Sequence, residues 1–306
     1  MAVKPVKKYT TSFLCMTSPC EVQIYSQSAQ IANRLAKRIE KNSKRLESKY
    51  NFFNPNSFLS QLNNRTQAEM EIDTETQSVL AQVRRLSGHT QGLFDITTGT
   101  LKHCTKLDSI KEVESCQINL KQYMGPDSWQ LNEKTILFHN DKVKLDLGGV
   151  IKEVAVDQAG QLAKEAGLSA LINFGGDIYV NGNKPNGEAF KIAIKNPKDT
   201  RQHIAVVQLS NQGLTTSAHY ERNTLVEGKS YSHIIDAREA HTGENNSDTA
   251  ENTGLTILSA TAISDSVLSS GLMTTALMID PSLVPLTEMH IVLIDDQLQI
   301  HHNLTQ

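Results

Sequence analysis

The amino-acid sequence predicts a mixed α/β fold with a substantial antiparallel sheet. Segments with apolar residues at every second position recur along the second half of the chain, and short turn sequences separate them. Elsewhere apolar residues recur at steps of three and four, which is the period of an amphipathic helix. Strands joined by short turns pair antiparallel, so most of the sheet is expected to be antiparallel.

The first half of the chain is predicted to contain two strand-like segments, two helices and a further pair of strands. Residues 12–25 supply the two segments, and Ser28 to Ser48 form a helix with one apolar and one basic face. Thr74, followed three residues later by Gln77, is a capping-box pattern and predicts the start of the second helix. Residues 129–131 and 135–139 are predicted to be strands.

Residues 143–182 form a central unit of strand, glycine turn, helix, strand, glycine turn and strand. Val143 to Leu147 alternate into an extended segment, which Gly148 and Gly149 interrupt. One apolar face then predicts a helix, and Gly167 is the left-handed residue expected to end it. Strands at residues 169–174 and 178–180 follow, joined by a turn at residues 175–177.

Beyond residue 182 the sequence predicts more strands and one helix. The strands are expected at residues 190–195, 203–209, 223–227, 230–235, 290–294 and 298–302. Arg238 to Gly254 has no periodicity and is predicted to be a mobile loop. A helix is predicted to begin within Ser259–Ser269 and to run to about Met278. No linker rich in Pro, Gly or Ser divides the chain, so residues 1–306 are expected to form a single domain.

Composition and charge exclude several classes of function. The chain has 306 residues, 39% of them hydrophobic and 21% charged, with a net charge of −3. No basic block stands out, so no nucleic acid is expected to bind, and no apolar run is long enough for a transmembrane segment. No signal peptide or lipobox is visible. This favours a cytoplasmic location for the chain as written, and a periplasmic or membrane-anchored one if a leader has been removed.

The four cysteines, Cys15, Cys20, Cys104 and Cys116, show no CxxC metal spacing. They are expected to be buried or idle thiols in a reducing compartment.

Two glycine pairs point to chemistry in the central unit. Gly148 and Gly149 precede a helix, where backbone amides can approach an anion and the helix N-terminus adds partial positive charge. Neither this pair nor Gly175-Gly176 completes a P-loop or a GxGxxG, so a tight turn and a phosphate site both remain open. Asp177, beside the second pair, can cap, turn or bind.

Asp265 and Ser269 suggest a metal site. They are four residues apart and would share one face of the predicted helix. Two hard oxygens near a helix start can hold Mg²⁺ together with waters and phosphate oxygens. An aspartate favoured by the helix dipole explains Asp265 equally well.

A series of motifs along the chain, from about Met16 to Leu277, resembles the ApbE family of FAD:protein FMN transferases. The family's DLGGIAKGYAVD and NxGGDI are similar to residues 146–157 and 173–178. Its MGT, GxFDPTxGPL, STSGDYxR, YSHIIDP and DALAT motifs are similar to residues 16–18, 92–101, 215–222, 231–237 and 265–269.

The resemblance implies an α+β fold of the ApbE-like, T-fold-related kind. This is a mixed, largely antiparallel sheet with packed helices and a flavin-binding cleft. It also implies a Mg²⁺-dependent reaction, in which a threonine hydroxyl of a flavin-acceptor protein attacks the FMN-side phosphorus of FAD and AMP leaves. FAD is then the substrate and the acceptor protein the macromolecular partner.

The resemblance further assigns roles to residues. His233 is the candidate proton acceptor, with Asp236 as its orienting partner, although a histidine in an apolar strand is usually a core residue. Asp265, Ser269 and the carbonyl of Gly149 are the expected Mg²⁺ ligands. The residues expected to contact the flavin nucleotide are Met16, Asp95, Gly148, Lys152, Gly175, Gly176, Asp177, Ser217 and His233.

The chain departs from the family pattern at three places. Glu153 and Val154 replace Gly-Tyr, which is expected to add an acid beside the phosphates; Ala218 and His219 alter the STSGD motif, and Ala237 replaces a proline. Three functions therefore remain open: an active flavin transferase, a pyrophosphatase that cuts FAD to FMN and AMP, and a non-catalytic FAD-binding protein.

Overall fold

The structure is a computed structural model that describes residues 5–218, 223–226, 229–232, 256–286 and 288–302. The helices of this part of the chain are α1 Ala29–Tyr50, α2 Phe58–Asn63, α3 Thr74–His89, α4 Ile110–Lys121, α5 Gly148–Glu165 and α6 Val267–Ile279. Its strands are β1 Lys7–Cys15, β2 Ser18–Ser26, β3 Glu69–Glu71, β4 Trp129–Leu131, β5 Thr135–Phe138, β6 Ala170–Phe174, β7 Asp177–Asn181, β8 Phe190–Asn196, β9 Asp199–Leu209, β10 Gln212–Ala218, β11 Asn223–Val226, β12 Lys229–Ser232, β13 Ile257–Ser264, β14 His290–Asp295 and β15 Ile300–His302. Short 3-10 helices occupy Ile96–Leu101, Cys104–Lys106 and Pro126–Ser128.

An eight-stranded sheet in the order β1-β2-β6-β7-β10-β13-β14-β15 dominates the fold. Every pairing between its described strands is antiparallel. Smaller antiparallel sheets are formed by β3-β5-β4, by β8-β9 and by β11-β12. The predicted fold class, a largely antiparallel sheet with packed helices, is confirmed.

The two faces of this sheet carry different layers. In β6, Ala170, Ile172 and Phe174 belong to the main core, together with apolar residues of α1, α5 and α6. Leu171 points the other way and packs with the β8-β9 hairpin in a second cluster. Because side chains alternate along a strand, the three helices lie on one face and the hairpin lies on the other.

Local signals position most of the predicted helices. Helix α1 begins after Ser28, whose hydroxyl accepts a hydrogen bond from the Ile31 amide at 3.4 Å. Helix α5 ends just before Gly167, which has a φ of +64° as predicted. The capping-box prediction is wrong at α3, because Asp73 is the cap and accepts from the Thr76 amide at 2.8 Å.

The cysteine prediction is confirmed for one pair and wrong for the other. Cys15 and Cys20 are buried free thiols, whereas Cys104 and Cys116 form a disulfide. Burial raises the pKa of the Cys15 thiol to about 12 and that of Cys20 to about 11. Spacing alone could not show the disulfide, since the two residues meet only after α4 folds back on the 3-10 segment.

Within the described part of the chain, no helix combines the length and the apolar content that a membrane span requires. The predicted mobile loop at residues 238–254 and parts of the strands predicted at 223–235 lie outside the described residues.

Candidate active site

Helix α5 begins at the first glycine pair. Gly148 and Gly149 are exposed and form its first two positions, where backbone amides have no partner within the helix. Asp146 fixes this start: its Oδ1 accepts from the Gly148 amide at 3.0 Å, and its other oxygen pairs with the Lys102 ammonium. The Asp146 amide donates to the Ile96 carbonyl at 2.7 Å.

The segment before α5 is extended but is not a strand, so the predicted strand at Val143 to Leu147 is wrong. The Asn63 side chain replaces a neighbouring strand, because its amide group donates to the Leu145 carbonyl and accepts from the Leu145 amide, both at 2.8 Å. Both backbone groups of Leu145 are therefore satisfied by one side chain, and no β-ladder forms here.

The second glycine pair makes the turn between β6 and β7. Gly175 and Gly176 have φ values of 62° and 104°, which glycine adopts without steric cost. The Gly176 amide donates to Asn173 Oδ1, and the Gly175 amide donates to the Pro19 carbonyl, each at 2.9 Å. The second contact places this turn against the β1-β2 hairpin.

That hairpin carries the predicted nucleotide contact Met16. Met16 and Thr17 form its two-residue turn with φ values of 50° and 58°, and the Met16 amide donates to Glu47 Oε1 at 2.6 Å. The Met16 side chain packs partly buried against the main core. Thr17 stands where the family motif has glycine, and a β-branched residue at positive φ is strained.

Lys152 and Asp177 connect the helix start to the second glycine turn. The Lys152 ammonium lies 2.9 Å from Asp177 Oδ2, and the side chains are 21% and 5% exposed. Lys152 therefore projects toward β7 from the first turns of α5, and does not lie on a solvated helix face.

Glu153 is directed into the protein. Its side chain is buried and fills a niche over Gly271 of α6, where a Cβ would lie 2.1 Å from Glu153 Oε1. Its other oxygen is buried without a hydrogen-bond partner. Burial, reinforced by the negative charge of Asp177, raises the pKa of the Glu153 carboxyl well above its ordinary value. Glu153 thus lies between two helices, and its position relative to the phosphates stays a prediction.

Asp157 attaches α5 to the start of α6. Its carboxylate accepts from the Val267 amide at 2.7 Å, the Leu268 amide at 3.1 Å and the Ser266 hydroxyl at 2.8 Å. Burial raises the pKa of this carboxyl, while the three hydrogen bonds oppose the shift. This role was missed from the sequence, although an aspartate directly after the apolar residues 154–156 of α5 was a usable signal.

The predicted helix around Asp265 starts too early. Residues 257–264 are strand β13, α6 begins only at Val267, and Ser266 is its cap. Asp265 is exposed in the turn before the cap, so it does not share a helix face with Ser269. Ser269 lies in the first turn and is buried, and its amide donates to the Ser266 hydroxyl at 3.3 Å.

The structure tests the donor set predicted for Mg²⁺. Carboxylate, hydroxyl and carbonyl oxygens are the hard ligands that Mg²⁺ prefers, so the chemistry fits. Asp265 and Ser269 flank the helix start that Asp157 fixes. Gly149 lies two turns, about 12 Å, before Asp157 on α5. Because Asp157 meets residue 267 and Glu153 meets residue 271, the helices run antiparallel, and the contacts do not bring Gly149 to the other two ligands.

Asp95 and Ser217 make structural contacts. Asp95 accepts from the Thr97 amide at 2.8 Å and the Gly125 amide at 2.9 Å. These hydrogen bonds connect the start of the 3-10 helix at Ile96–Leu101 to the segment at Gly125. The Ser217 hydroxyl lies 3.0 Å from Thr274 Oγ1 on α6.

The predicted catalytic residues His233 and Asp236 lie outside the described residues, as do His219 and Ala237. Their assignments stay predictions.

With this geometry in place, comparison with known proteins identifies the class. The family model of the ApbE family matches residues 16–283, and the chain belongs to that family.

Individual relatives carry more specific names. The chain is 29% identical to a "FAD:protein FMN transferase" of Chlamydia pneumoniae over 70% of this chain and 68% of that protein. It is 26% identical to a protein of the same name from Haemophilus influenzae, over 76% of this chain and 70% of that one.

Among solved structures, the ApbE protein of Thermotoga maritima superposes with a TM-score of 0.82 at 22% identity, covering 96% of each chain. The flavin transferase ApbE of Vibrio cholerae gives 0.79 at 19% identity over 97% of each chain. At these identities the structures support the fold.

Proposed function

We propose that this protein transfers FMN from FAD to a threonine hydroxyl of an acceptor protein and releases AMP. Membership of the family and the names of the relatives support the transfer itself. The observation that carries the proposal for this chain is that motif segments far apart in sequence meet in space.

Two contacts show the convergence. Asp157 binds the backbone of residues 267–268, some 110 positions along the chain, and the turn at Gly175 contacts the hairpin at Pro19. The Lys152–Asp177 ion pair lies between α5 and this turn. These contacts bring residues 146–157 together with residues 173–178 and 265–269, as a shared nucleotide site would require.

The proposed chemistry is an attack of the acceptor hydroxyl on phosphorus. The attacking hydroxyl oxygen forms a bond to the FMN-side phosphorus, the bond from that phosphorus to the bridging oxygen breaks, and AMP leaves with the bonding electrons. His233 is proposed to accept the hydroxyl proton, with Asp236 orienting it. Mg²⁺ held by Asp265 and Ser269, together with waters and phosphate oxygens, would offset charge on the pyrophosphate.

The backbone is proposed to bind the rest of the nucleotide. The Gly149 amide at the start of α5 has no partner within the helix, and the exposed glycines of both turns let the nucleotide approach the backbone without side chains in the way. Lys152, held by Asp177, places a positive charge beside this turn.

The experiment incubates the purified protein with FAD and Mg²⁺, with and without a flavin-acceptor domain, and with an acceptor variant whose target threonine is alanine. AMP is followed by chromatography and the acceptor by intact mass. An FMN-sized gain on the threonine acceptor alone, lost with EDTA, supports the proposal. AMP and FMN released without labelling would favour the pyrophosphatase, and intact bound FAD would favour the binding protein.

Two variants test the proposed metal site and the proposed base independently. Asp265→Ala is expected to abolish Mg²⁺-dependent AMP release and to weaken Mg²⁺ binding in calorimetry, whereas Asp141→Ala, an exposed aspartate elsewhere, should change neither. His233→Ala should slow transfer more than it weakens FAD binding. An Asp265→Ala protein with full activity would overturn the metal assignment.

A further inference from the structure

A histidine lies directly against the Cys104–Cys116 disulfide. His103 Nε2 is 3.6 Å from Cys116 Sγ, and the ligand atoms of these three residues all lie within 4.8 Å of one another. Cys104 is buried, Cys116 is half-buried and His103 is exposed, so the cluster opens to solvent on its histidine side.

The cluster joins two short segments of the chain. Cys104 begins the 3-10 helix at Cys104–Lys106, and Cys116 lies in α4. Val113 is the one buried residue that α4 contributes. The link at Cys104–Cys116 therefore attaches this helix covalently to the 3-10 segment.

We propose that reduction of this disulfide converts His103, Cys104 and Cys116 into a binding site for a thiophilic divalent cation such as Zn²⁺. The attachment of α4 would then exist in two alternative forms, a covalent one and a metal-bridged one. The proposal does not depend on the flavin reaction.

The chemistry balances with a dithiol as the reductant. The dithiol supplies two electrons and two protons, becomes a disulfide itself, and leaves Cys104 and Cys116 as thiols. Zn²⁺ then binds as the two thiols release two protons, with the Nε2 lone pair as third ligand and water as fourth.

The geometry suits tetrahedral zinc. With Zn–S near 2.3 Å and Zn–N near 2.0–2.1 Å, tetrahedral ligands are separated by roughly 3.6 Å for nitrogen and sulfur and roughly 3.8 Å for two sulfurs. The His103–Cys116 pair already has the first separation. The sulfurs must move apart after cleavage, and the lightly packed α4 can accommodate that movement.

The remaining thiols do not compete. Cys15 and Cys20 are buried, and their raised pKa values keep them protonated near neutral pH, whereas the thiolate is the form that binds metal. The cation proposed at Asp265 and Ser269 would have oxygen ligands, so the two sites are distinguishable by spectroscopy.

The experiment uses Co²⁺ as a spectroscopic probe and Zn²⁺ as a competitor, on the full chain before and after anaerobic reduction. The expected result is thiolate-to-cobalt absorption from one equivalent of Co²⁺ in the reduced protein, lost on adding Zn²⁺, and no such absorption in the oxidised protein. Far-UV circular dichroism checks that the reduced chain is folded.

Variants identify the ligands. Cys116→Ser should abolish the thiolate band, and His103→Gln, which keeps both cysteines and the disulfide, should weaken Co²⁺ binding by roughly tenfold or more. His89→Gln, an exposed histidine at the end of α3, is the matched control and should change nothing. A folded, reduced protein with no thiolate band, or a band that survives Cys116→Ser, would overturn the proposal.

Discussion

Glu153→Gln is expected to stabilise the protein at neutral and alkaline pH while leaving its stability nearly unchanged at acid pH. Glu153 is buried between α5 and α6, and burial raises the pKa of its carboxyl well above the ordinary value, so the folded chain holds this proton to a higher pH than the unfolded chain does. Glutamine has nearly the shape of the protonated acid, so it fills the same niche over Gly271. Like the protonated acid, its amide carries no charge in this buried position.

The magnitude follows from proton linkage. In the unfolded chain this carboxyl loses its proton near its ordinary pKa of 4.5, whereas the raised pKa in the folded chain moves this loss to higher pH. Above that pH the unfolded state binds fewer protons, so the free energy of unfolding falls by up to about 1.4 kcal/mol per pH unit. The fall stops once the pH exceeds the raised pKa of the folded state. Glutamine titrates in neither state and removes this slope.

The assay is urea denaturation of the wild type and of Glu153→Gln at several pH values from 4.5 to 9, followed by circular dichroism. The difference in free energy of unfolding should be near zero at the lowest pH and should grow as pH rises. Glu188→Gln, at an exposed glutamate, controls for the loss of a surface carboxylate. Parallel pH profiles for wild type and variant would refute the reasoning, because they would mean that Glu153 is ionised in the folded protein.

Three further substitutions test the packing around the site. Thr17→Gly should raise the free energy of unfolding by up to about 1 kcal/mol in urea titration, because it relieves a positive φ that costs an ordinary residue about 1–2 kcal/mol, less the entropy lost by glycine; a loss of stability would contradict this. Gly160→Ala should cost about 1–3 kcal/mol, since its Cβ would lie 2.3 Å from the Tyr179 ring, whereas Gly88→Ala, with nothing within 4 Å, should be neutral or stabilising. Equal effects in thermal melts would refute the contact. Asp157→Ala should cost about 1–2 kcal/mol by uncapping α6 and should weaken Mg²⁺ binding in calorimetry; unchanged Mg²⁺ affinity would remove α6 from the metal site.

Local signals predicted much of the fold. The cap at Ser28 and the left-handed Gly167 fixed the ends of α1 and α5 to within a few residues, because each acts on its immediate neighbours. The start of α6 was predicted wrongly because residues 257–264 are buried on both faces and lack the alternation of a half-buried strand. Without that alternation, the run of Ala, Ser and Thr in this segment is equally consistent with a helix.

Long-range partners could not be predicted from the sequence. Asn63 satisfies Leu145 from 82 positions away, and nothing in either segment indicates the other. The family motifs indicated that residues 146–157, 173–178 and 265–269 belong together. They did not indicate that the Asp157 carboxylate connects the first of these segments to the third by hydrogen bonds. That assignment required the three hydrogen bonds to be seen.

The pairing of β2 with β6 has a consequence for how the chain is made. The β1-β2 hairpin can form as soon as residue 26 has left the ribosome, but its inner partner begins at Ala170, about 140 residues later. At a synthesis rate of about 5–20 residues per second, the inner edge of the hairpin stays unpaired for roughly 7 to 30 s. Lys7 and Lys8 on β1 discourage association at the outer edge, whereas β2 has buried residues at every second position. During synthesis, this inner edge is where a chaperone would be needed most.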